Sequence, residues 1–191
     1  MTKPESVGNR IIVLGSPGSG KSVFSVKLSK ITGLPLYHLD SVWWKADGTH
    51  ISRCEFDEKL GALLSLDKWI LDGDYSRTYE VRIRACDTVV FLDFGTGVCM
   101  KGINERIGKE RPDMPWVENG SDPELVKAVE NYGRENRPVV LSLLEKYPEK
   151  RALVFSSRAD ADGWLSRLAG TRDLIFPARC DIIRKTDGKR P

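Results

Sequence analysis

One short segment carries the clearest chemistry in this sequence. It runs from Gly15 to Ser22, reads Gly-Ser-Pro-Gly-Ser-Gly-Lys-Ser, and fits the pattern G-x-x-x-x-G-K-[ST] at every fixed position. Glycines at these positions let backbone N–H groups turn inward around phosphate oxygens, the lysine bridges the β and γ phosphates, and the final hydroxyl ligates Mg²⁺. The sequence therefore predicts a phosphate-binding loop in which Lys21 meets phosphate and Ser22 meets the metal.

The residues on either side predict the elements that such a loop requires. An apolar run, Arg10–Leu14, precedes the loop and predicts a strand. The segment 23–31 follows it with Phe24, Leu28 and Ile31 at helical spacing, which predicts a helix whose N-terminus faces the phosphates. We therefore expect these residues to bind nucleotide phosphates: Gly15, Ser16, Pro17, Gly18, Ser19, Gly20, Lys21, Ser22 and Val23.

Extended apolar runs recur along the chain with helix-like stretches between them, a pattern typical of a parallel sheet. The runs are Arg10–Leu14, Leu36–Leu39, Trp69–Leu71, Thr88–Leu92 and Ala152–Phe155. The fold class predicted is therefore α/β, a P-loop NTPase fold with a five-stranded parallel sheet flanked by helices.

Capping residues predict where several helices begin. Ser52 and Glu55 form a capping box, and Pro123 follows cap residues at a first helical position. Pro138 is predicted to start a further helix in the same way, and residues 98–107 form another candidate.

Three acidic residues follow predicted strands, where ligands bind in sheets of this type. Asp40 either contacts a substrate or caps a turn. Asp72 and Asp93 both fit the pattern of an acid that orders the Mg²⁺ shell. The adjacent Gly73 permits close approach of a substrate and favours Asp72, which leaves Asp93 a structural role.

A basic group near the middle of the chain predicts a lid over the phosphate loop. It comprises Lys101, Arg106, Lys109 and Arg111, and two prolines end the helix there. Phosphoryl transfer is catalysed by positioning and by cations on the transferring group, so Arg106 and Arg111 suit a lid over about residues 108–122. A solvated helix face is the alternative.

Other side chains near the strand ends are candidates for contact with the acceptor. Arg77 follows the third strand and suits an anionic acceptor, whereas Arg82 and Arg84 are predicted to lie on the surface. Trp43 and Trp44 form either an aromatic wall for the acceptor or a packed pair under a loop.

Several motifs together resemble the bacterial DNA topology modulation proteins and the adenylate-kinase-like P-loop kinases, which implies a fold of the kind found in nucleoside and nucleotide kinases. The resemblance covers about residues 10–168 and is carried by Leu36–Asp40 with Trp43 and Trp44, by Trp69–Arg77 and by Arg111–Met114.

The resemblance implies roles for particular residues. Asp40 falls where shikimate-kinase-like enzymes contact the acceptor hydroxyl, and Arg106 and Arg111 fall where nucleotide kinases carry lid arginines. Ser157 and Arg158 would lie near the adenine base.

The segment after the third strand resembles, more distantly, the L-D-G-F-P-R element of adenylate kinases. That likeness implies that Asp72 orders the Mg²⁺ shell and that Arg77 grips the acceptor. Arg77 comes one residue later than in that element, so AMP is not fixed as the acceptor.

Composition sets the broader limits. The chain has 191 residues and a net charge of +3, which suit one domain over residues 1–170 and a basic tail over 171–191. The positive charge of the tail keeps nucleic-acid binding as an alternative. No signal pattern or membrane span is predicted, which favours a cytoplasmic protein, and four scattered cysteines are expected to be reduced and mostly buried.

The combined prediction is a kinase that binds ATP and Mg²⁺ and phosphorylates a small-molecule acceptor. One alternative is an ATP-binding regulatory or nucleic-acid-associated protein, active in DNA topology modulation, with weak ATPase activity. A GTPase switch is disfavoured because the chain has no glutamine and no N-K-x-D motif. The acceptor, the preference for ATP over GTP and the oligomeric state are left open.

Overall fold

Five short strands pair side by side in the centre of the molecule. The computed structural model describes residues 7–111, 113, 114 and 116–175, with the backbone alone for 172–175. The strands are β1 (Arg10–Gly15), β2 (Leu36–His38), β3 (Trp69–Asp72), β4 (Thr88–Leu92) and β5 (Arg151–Phe155). The helices are α1 (Lys21–Thr32), α2 (Leu39–Trp43), α3 (Arg53–Leu64), α4 (Tyr79–Ala85), α5 (Thr96–Glu105), α6 (Pro123–Lys146) and α7 (Arg158–Ile175).

The sheet is entirely parallel, with the order β2-β3-β1-β4-β5. β1 occupies the centre, paired with β3 through Val13 and Asp72 and with β4 through Gly15 and Leu92. Strands lie on both sides of β1, so the strand order reverses at β1. Ligands bind at the carboxyl ends of the strands at such a switch point in sheets of this kind. The predicted α/β class is confirmed, and all five predicted strands are present within one residue at each end.

Both faces of the sheet are buried by helices. On one face Val13 packs with Leu28 of α1 and Trp164 of α7, and on the other Leu14 packs with Phe56 of α3. Burying a large apolar side chain contributes about 1.5–3 kcal/mol. The strand that leads into the phosphate loop is therefore fixed from both sides.

One helix prediction is wrong. Pro138 does not begin a helix but lies inside α6, which is continuous from Pro123 to Lys146. Proline cannot donate a backbone hydrogen bond to Arg134 four residues earlier, at a cost of about 3 kcal/mol. Both residues are exposed, so the freed carbonyl reaches water, while buried Tyr132 and Val140 anchor the helix on either side.

The other boundaries need smaller changes. Ser52 caps α3 as predicted, accepting a 3.1 Å hydrogen bond from the Glu55 N–H. The helix expected over 98–107 spans Thr96–Glu105, and α7 continues past the proposed boundary at residue 170. The basic tail from residue 176 onward, including Cys180, lies outside the described residues. None of the described helices is long and apolar enough to span a membrane.

Candidate active site

The phosphate loop joins the end of β1 to the start of α1 and depends on three glycines with positive φ. Gly15, Gly18 and Gly20 have φ values of 147°, 77° and 92°. A Cβ on Gly15 would lie 2.7 Å from the Leu92 carbonyl oxygen, whereas one on Gly20 would meet nothing within 4 Å. The loop is therefore packed against β4 on one side and open to the adjoining cavity on the other.

The start of α1 offers an anion several donors. Its cap residue is Gly20, so no side chain satisfies the first N–H groups, and these carry the positive end of the helix dipole. The Ser19 hydroxyl is buried without a hydrogen-bond partner among the described residues. Buried polar groups are normally paired, so this cradle fits a phosphate group.

Lys21 folds back over the loop. Its Nζ donates to the carbonyl oxygens of Gly15 at 2.7 Å and Ser16 at 3.0 Å, and its side chain lines the cavity. These two hydrogen bonds hold the ammonium group at the mouth of the loop.

A cavity of about 860 Å³ opens from the phosphate loop toward the ends of β2 and β3. Apart from the loop's glycines, nine residues predicted for the site line it: Pro17, Lys21, Ser22, Val23, Asp40, Gly73, Arg106, Arg111 and Arg158. The predicted residues that do not line it are Gly15, Ser16, Ser19, Trp43, Asp72, Arg77 and Ser157. The structure thus gathers most of the predicted residues into one space.

Asp72 lies at the end of β3, next to the strand that leads into the loop, and is 2 % exposed. Its Oδ1 is 2.7 Å from Nδ1 of His38, whereas its Oδ2 is buried without a partner among the described groups. A buried carboxylate oxygen left unpaired is costly unless a metal, a water or another donor satisfies it. Asp93 differs, because both its oxygens accept hydrogen bonds from Arg137, at 2.8 and 2.9 Å.

The pKa of His38 reflects the acidic surroundings. Burial lowers this pKa, but the hydrogen bond with Asp72 and the negative charges of Asp72, Asp113 and Asp40 outweigh burial and raise it. A protonated His38 would balance part of the negative charge behind the loop.

Asp113 is a site residue that the sequence analysis missed. It is 1 % exposed and accepts a 2.6 Å hydrogen bond from the Ser22 hydroxyl, while Ser41 donates to its backbone carbonyl at 3.0 Å. Arg111 binds the same carboxylate with two donors, at 3.1 and 2.5 Å. Burial raises the pKa of Asp113, but the hydrogen bonds from Arg111 and Ser22 bring it below its ordinary value. The signal in the sequence was a carboxylate two residues after a lid arginine.

Glu118 connects the two predicted lid arginines. Its carboxylate is 2.6 Å from Nε of Arg106 and 3.3 Å from Nη1 of Arg111. Both arginines therefore have carboxylate partners in this structure, and a phosphate would have to compete for them.

Asp40 lies in the first turn of α2 and lines the cavity. It is hydrogen-bonded to the loop that follows β3. The Tyr75 hydroxyl donates to its Oδ1 at 2.9 Å. Burial raises the pKa of Asp40, the Tyr75 hydrogen bond and the charge of Lys21 lower it, and the net direction is upward. Tyr75 has a φ of 35° and Gly73 a φ of 128°, so this loop is shaped by left-handed backbone.

Arg82 is what holds that backbone, and the prediction that it lies on the surface is wrong. Its side chain is fully buried and donates to the carbonyl oxygens of Gly73 at 3.0 Å, Asp74 at 2.6 Å and Tyr75 at 3.3 Å. Arg84 on the same helix is exposed, as predicted.

The two adjacent tryptophans have different surroundings: one is packed under a loop and the other lines the cavity. Trp43 packs on His50, Phe56 and Tyr75 with ring centroids 4.5, 5.5 and 6.1 Å away and does not line the cavity. Trp44 does line it, together with Trp116 of the lid, and their rings meet edge to face at 5.4 Å.

Three further predicted residues have other partners. Arg77 forms two contacts with Asp57, at 3.0 and 2.5 Å, on an exposed surface. Ser157 caps α7 by accepting a 3.1 Å hydrogen bond from the Asp160 N–H. Arg158 donates to the Gly18 carbonyl at 2.9 Å, against the phosphate loop.

Within the described part of the chain, no group of three or more His, Cys, Asp or Glu side chains is placed to hold a metal ion. Magnesium in phosphoryl-transfer sites relies on one or two protein ligands with substrate phosphates and water. Ser22 and Asp72 are the two residues predicted for this role, and in this structure the Ser22 hydroxyl donates to Asp113.

Known structures resemble this fold over nearly its whole length. Shikimate kinase from Acinetobacter baumannii, solved with shikimate, matches with a TM-score of 0.58 and 15 % identity over 91 % of this chain and 97 % of its own. Shikimate kinase from Bacteroides thetaiotaomicron matches with a TM-score of 0.50 and 15 % identity, over 86 % and 98 %. A sugar kinase from a Janibacter species also has a TM-score of 0.50 and 15 % identity, over 87 % and 95 %.

The chain has the P-loop NTPase fold. No protein-family model matches the sequence, and no curated protein matches it. The P-loop NTPase assignment therefore rests on the parallel sheet, the phosphate loop and these structural neighbours, all of which are kinases.

Proposed function

We propose that this protein is a kinase that transfers the γ-phosphoryl group of ATP·Mg²⁺ to a hydroxyl or phosphate group of a small acceptor. The observation that carries the proposal is that one cavity contains the phosphate loop, a carboxylate on the acceptor side and two lid arginines. Positioning and charge neutralisation supply most of the catalysis in phosphoryl transfer. This arrangement supplies both.

The triphosphate would bind between the loop and the lid. Backbone N–H groups of Gly15–Val23, except Pro17, which has none, would hold the phosphates. Lys21 would neutralise charge that develops on the transferring group. Arg158 contacts the Gly18 carbonyl, so it adds a positive charge on the nucleotide side of the cavity, with Ser157 next to it.

Ser22 and Asp72 would hold the magnesium ion. When bound, Mg²⁺ neutralises charge on the β and γ phosphates. The unpaired Oδ2 of Asp72 supports this assignment. The Ser22 hydroxyl becomes available only after its hydrogen bond to Asp113 breaks.

Asp40 would act on the acceptor. Its pKa is raised, which makes it a better proton acceptor than an ordinary aspartate. In the transfer step the acceptor oxygen bonds to the γ phosphorus, the bond from that phosphorus to the β,γ-bridging oxygen breaks with its electron pair on ADP, and the acceptor proton passes to Asp40. A phosphate acceptor would need no base, and its cation would have to be one other than Arg77, which is paired with Asp57 outside the cavity lining.

The lid gives a reason for transfer to an acceptor rather than to water. Arg106 and Arg111 line the cavity. Ion pairs with Glu118 and Asp113 hold them there. A lid that closes over bound substrates excludes water from the reaction. We further propose, from the sequence motifs, that the kinase is of the adenylate-kinase-like type and acts in the cytoplasm, where ATP is supplied.

The test is transfer of label from γ-labelled ATP with Mg²⁺ to nucleoside monophosphates, nucleosides, sugar acids and RNA ends. Lys21→Ala serves as the blank. A labelled small product that disappears in the blank supports the kinase. ATP binding with only slow phosphate release across the whole panel would contradict it and favour a regulatory or nucleic-acid-associated protein.

A further inference from the structure

The side of the cavity that faces Asp40 has an aromatic wall. Trp44 lies four residues after Asp40, and its backbone N–H donates to the Asp40 carbonyl at 2.9 Å. The two residues are therefore one helical turn apart. Trp116 meets Trp44 from the lid at an angle of 84°. In an edge-to-face pair, the ring that contributes its edge keeps both faces available for stacking.

This wall is only partly buried, and apolar side chains continue it. Trp44, Trp116 and Met114 are each partly exposed, and each lines the cavity. Tyr75 extends the same lining to the Asp40 carboxylate, to which its hydroxyl donates. A ligand there would therefore meet flat apolar surfaces next to one carboxylate oxygen.

The charges near this wall disfavour an anionic acceptor. Asp40 and Asp74 both line the cavity here. Arg77 is paired with Asp57 outside the lining, and Arg82 is fully buried with donors on backbone carbonyls. Arg111 is held by two carboxylates. Each of these three arginines is engaged elsewhere. The other cations of the lining, Lys21, Arg106, Lys109 and Arg158, belong to the phosphate loop, to the lid or to the residue that contacts the loop. A carboxylate or phosphate of an acceptor placed against Asp40 and Asp74 would therefore meet two negative charges.

From these observations we infer that the acceptor is an uncharged alcohol with a planar heteroaromatic ring, the chemistry that a nucleoside presents. The inference rests on the proposed kinase function and names its substrate class. The ring stacks on Trp44 or Trp116, and the hydroxyl lies toward Asp40. Stacking of a base on an aromatic side chain contributes about 1–3 kcal/mol, which suffices to select a ring-bearing acceptor over a simple sugar.

The test measures binding without ATP, so that it is independent of phosphoryl transfer. Adenosine, guanosine, cytidine and uridine are titrated into the full chain by calorimetry, alongside their 5′-monophosphates, ribose, shikimate and choline. We expect at least one nucleoside to bind more tightly than its monophosphate and more tightly than ribose, shikimate or choline.

A matched pair of variants isolates the stacking. Trp44→Leu removes the ring but keeps apolar bulk, and we expect it to weaken nucleoside binding roughly tenfold. Trp44→Phe keeps a ring and should retain most of the affinity. Trp116→Leu and Trp116→Phe repeat the comparison on the lid, and ATP titration confirms that each variant is folded.

Several results would overturn this inference. The first is that no nucleoside binds. The second is that a monophosphate, shikimate or choline binds more tightly than every nucleoside. The third is that wild type, Trp44→Leu and Trp116→Leu bind nucleosides with equal affinity. If ATP label were still transferred to such a compound, the kinase would stand and only the acceptor class would be wrong. Failure to bind ATP would contradict the proposed function itself.

Discussion

The Ser22 hydroxyl in the phosphate loop donates a 2.6 Å hydrogen bond to the Asp113 carboxylate in the lid. The same carboxylate is bound by Arg111. One acidic side chain therefore occupies both a proposed magnesium ligand and a proposed phosphate-binding arginine. If Ser22 ligates Mg²⁺ and Arg111 binds phosphate as proposed, these contacts open when ATP·Mg²⁺ binds.

The first prediction concerns Asp113→Asn. In the proposed binding mode the hydrogen bond from Ser22 to Asp113 must break, and a hydrogen bond to a charged group contributes about 1.5–3 kcal/mol. Asparagine weakens this bond and removes a negative charge from the proposed triphosphate site. We expect ATP·Mg²⁺ to bind roughly tenfold more tightly, because 1.4 kcal/mol is a factor of ten. Calorimetric titration measures the change.

The control for this variant is Glu110→Gln, which removes one negative charge from an exposed lid residue that also lines the cavity. A similar gain in the control would mean that general repulsion, rather than the Ser22 contact, limits binding. Weaker ATP·Mg²⁺ binding by Asp113→Asn would instead make Asp113 part of the magnesium shell.

The second prediction concerns Lys21→Ala. The side chain makes hydrogen bonds to two loop carbonyls but packs in no core cluster, so the fold should survive. Loss of a preorganised charge at the transferring group should lower the rate of transfer roughly a hundredfold or more. Transfer assays and circular dichroism on the same sample check both parts. A variant that keeps its rate would remove the loop from the mechanism.

The third prediction concerns Asp40. Asp40→Asn cannot accept a proton, so kcat should fall while the Kd for ATP stays nearly unchanged, because the proposed partner of Asp40 is the acceptor. Steady-state kinetics with the acceptor and ATP titration separate the two quantities. Equal loss of ATP affinity and kcat would show that Asp40 acts on the nucleotide or on the fold.

The fourth prediction is a shift in the pH profile of Tyr75→Phe. If Asp40 is the base, activity is present above its pKa and is lost as the pH falls through that pKa, which burial already holds above the ordinary value. The Tyr75 hydrogen bond favours the ionised form and lowers this pKa. Its removal should therefore move the acid limb of kcat to higher pH.

A pH series on wild type and Tyr75→Phe measures this shift. Phenylalanine keeps the ring that packs on Phe56, so a change in packing is small. An acid limb that does not move would show that another group titrates in the profile.

Much of the fold was predictable because its signals are local. The strand before Gly15, the glycines of the loop and the capping box at Ser52 each follow from a few neighbouring residues. Pro138 was misjudged because its cost is overcome by packing of α6 on both sides of it, which is a tertiary effect.

The parts of the site that sequence reasoning missed depend on contacts between distant segments. Asp113 acquires its role from Ser22, 91 residues away in the chain. Trp43 and Trp44 are adjacent and identical, so the sequence does not distinguish them. Only the course of α2 decides which one lines the cavity. Arg82 looked like a surface cation because nothing nearby in the sequence shows that backbone carbonyls surround it.

The last prediction tests Arg82 as the residue that shapes the acceptor loop. Arg82→Leu leaves the carbonyl oxygens of Gly73 and Asp74 without their buried donors, and each buried unsatisfied group costs about 1–3 kcal/mol. We expect the free energy of unfolding to fall by about 3 kcal/mol. Arg84→Leu, on the exposed side of the same helix, should change it by less than about 0.5 kcal/mol. Urea denaturation of the two variants makes the comparison, and equal stability would mean that the loop keeps its shape without Arg82.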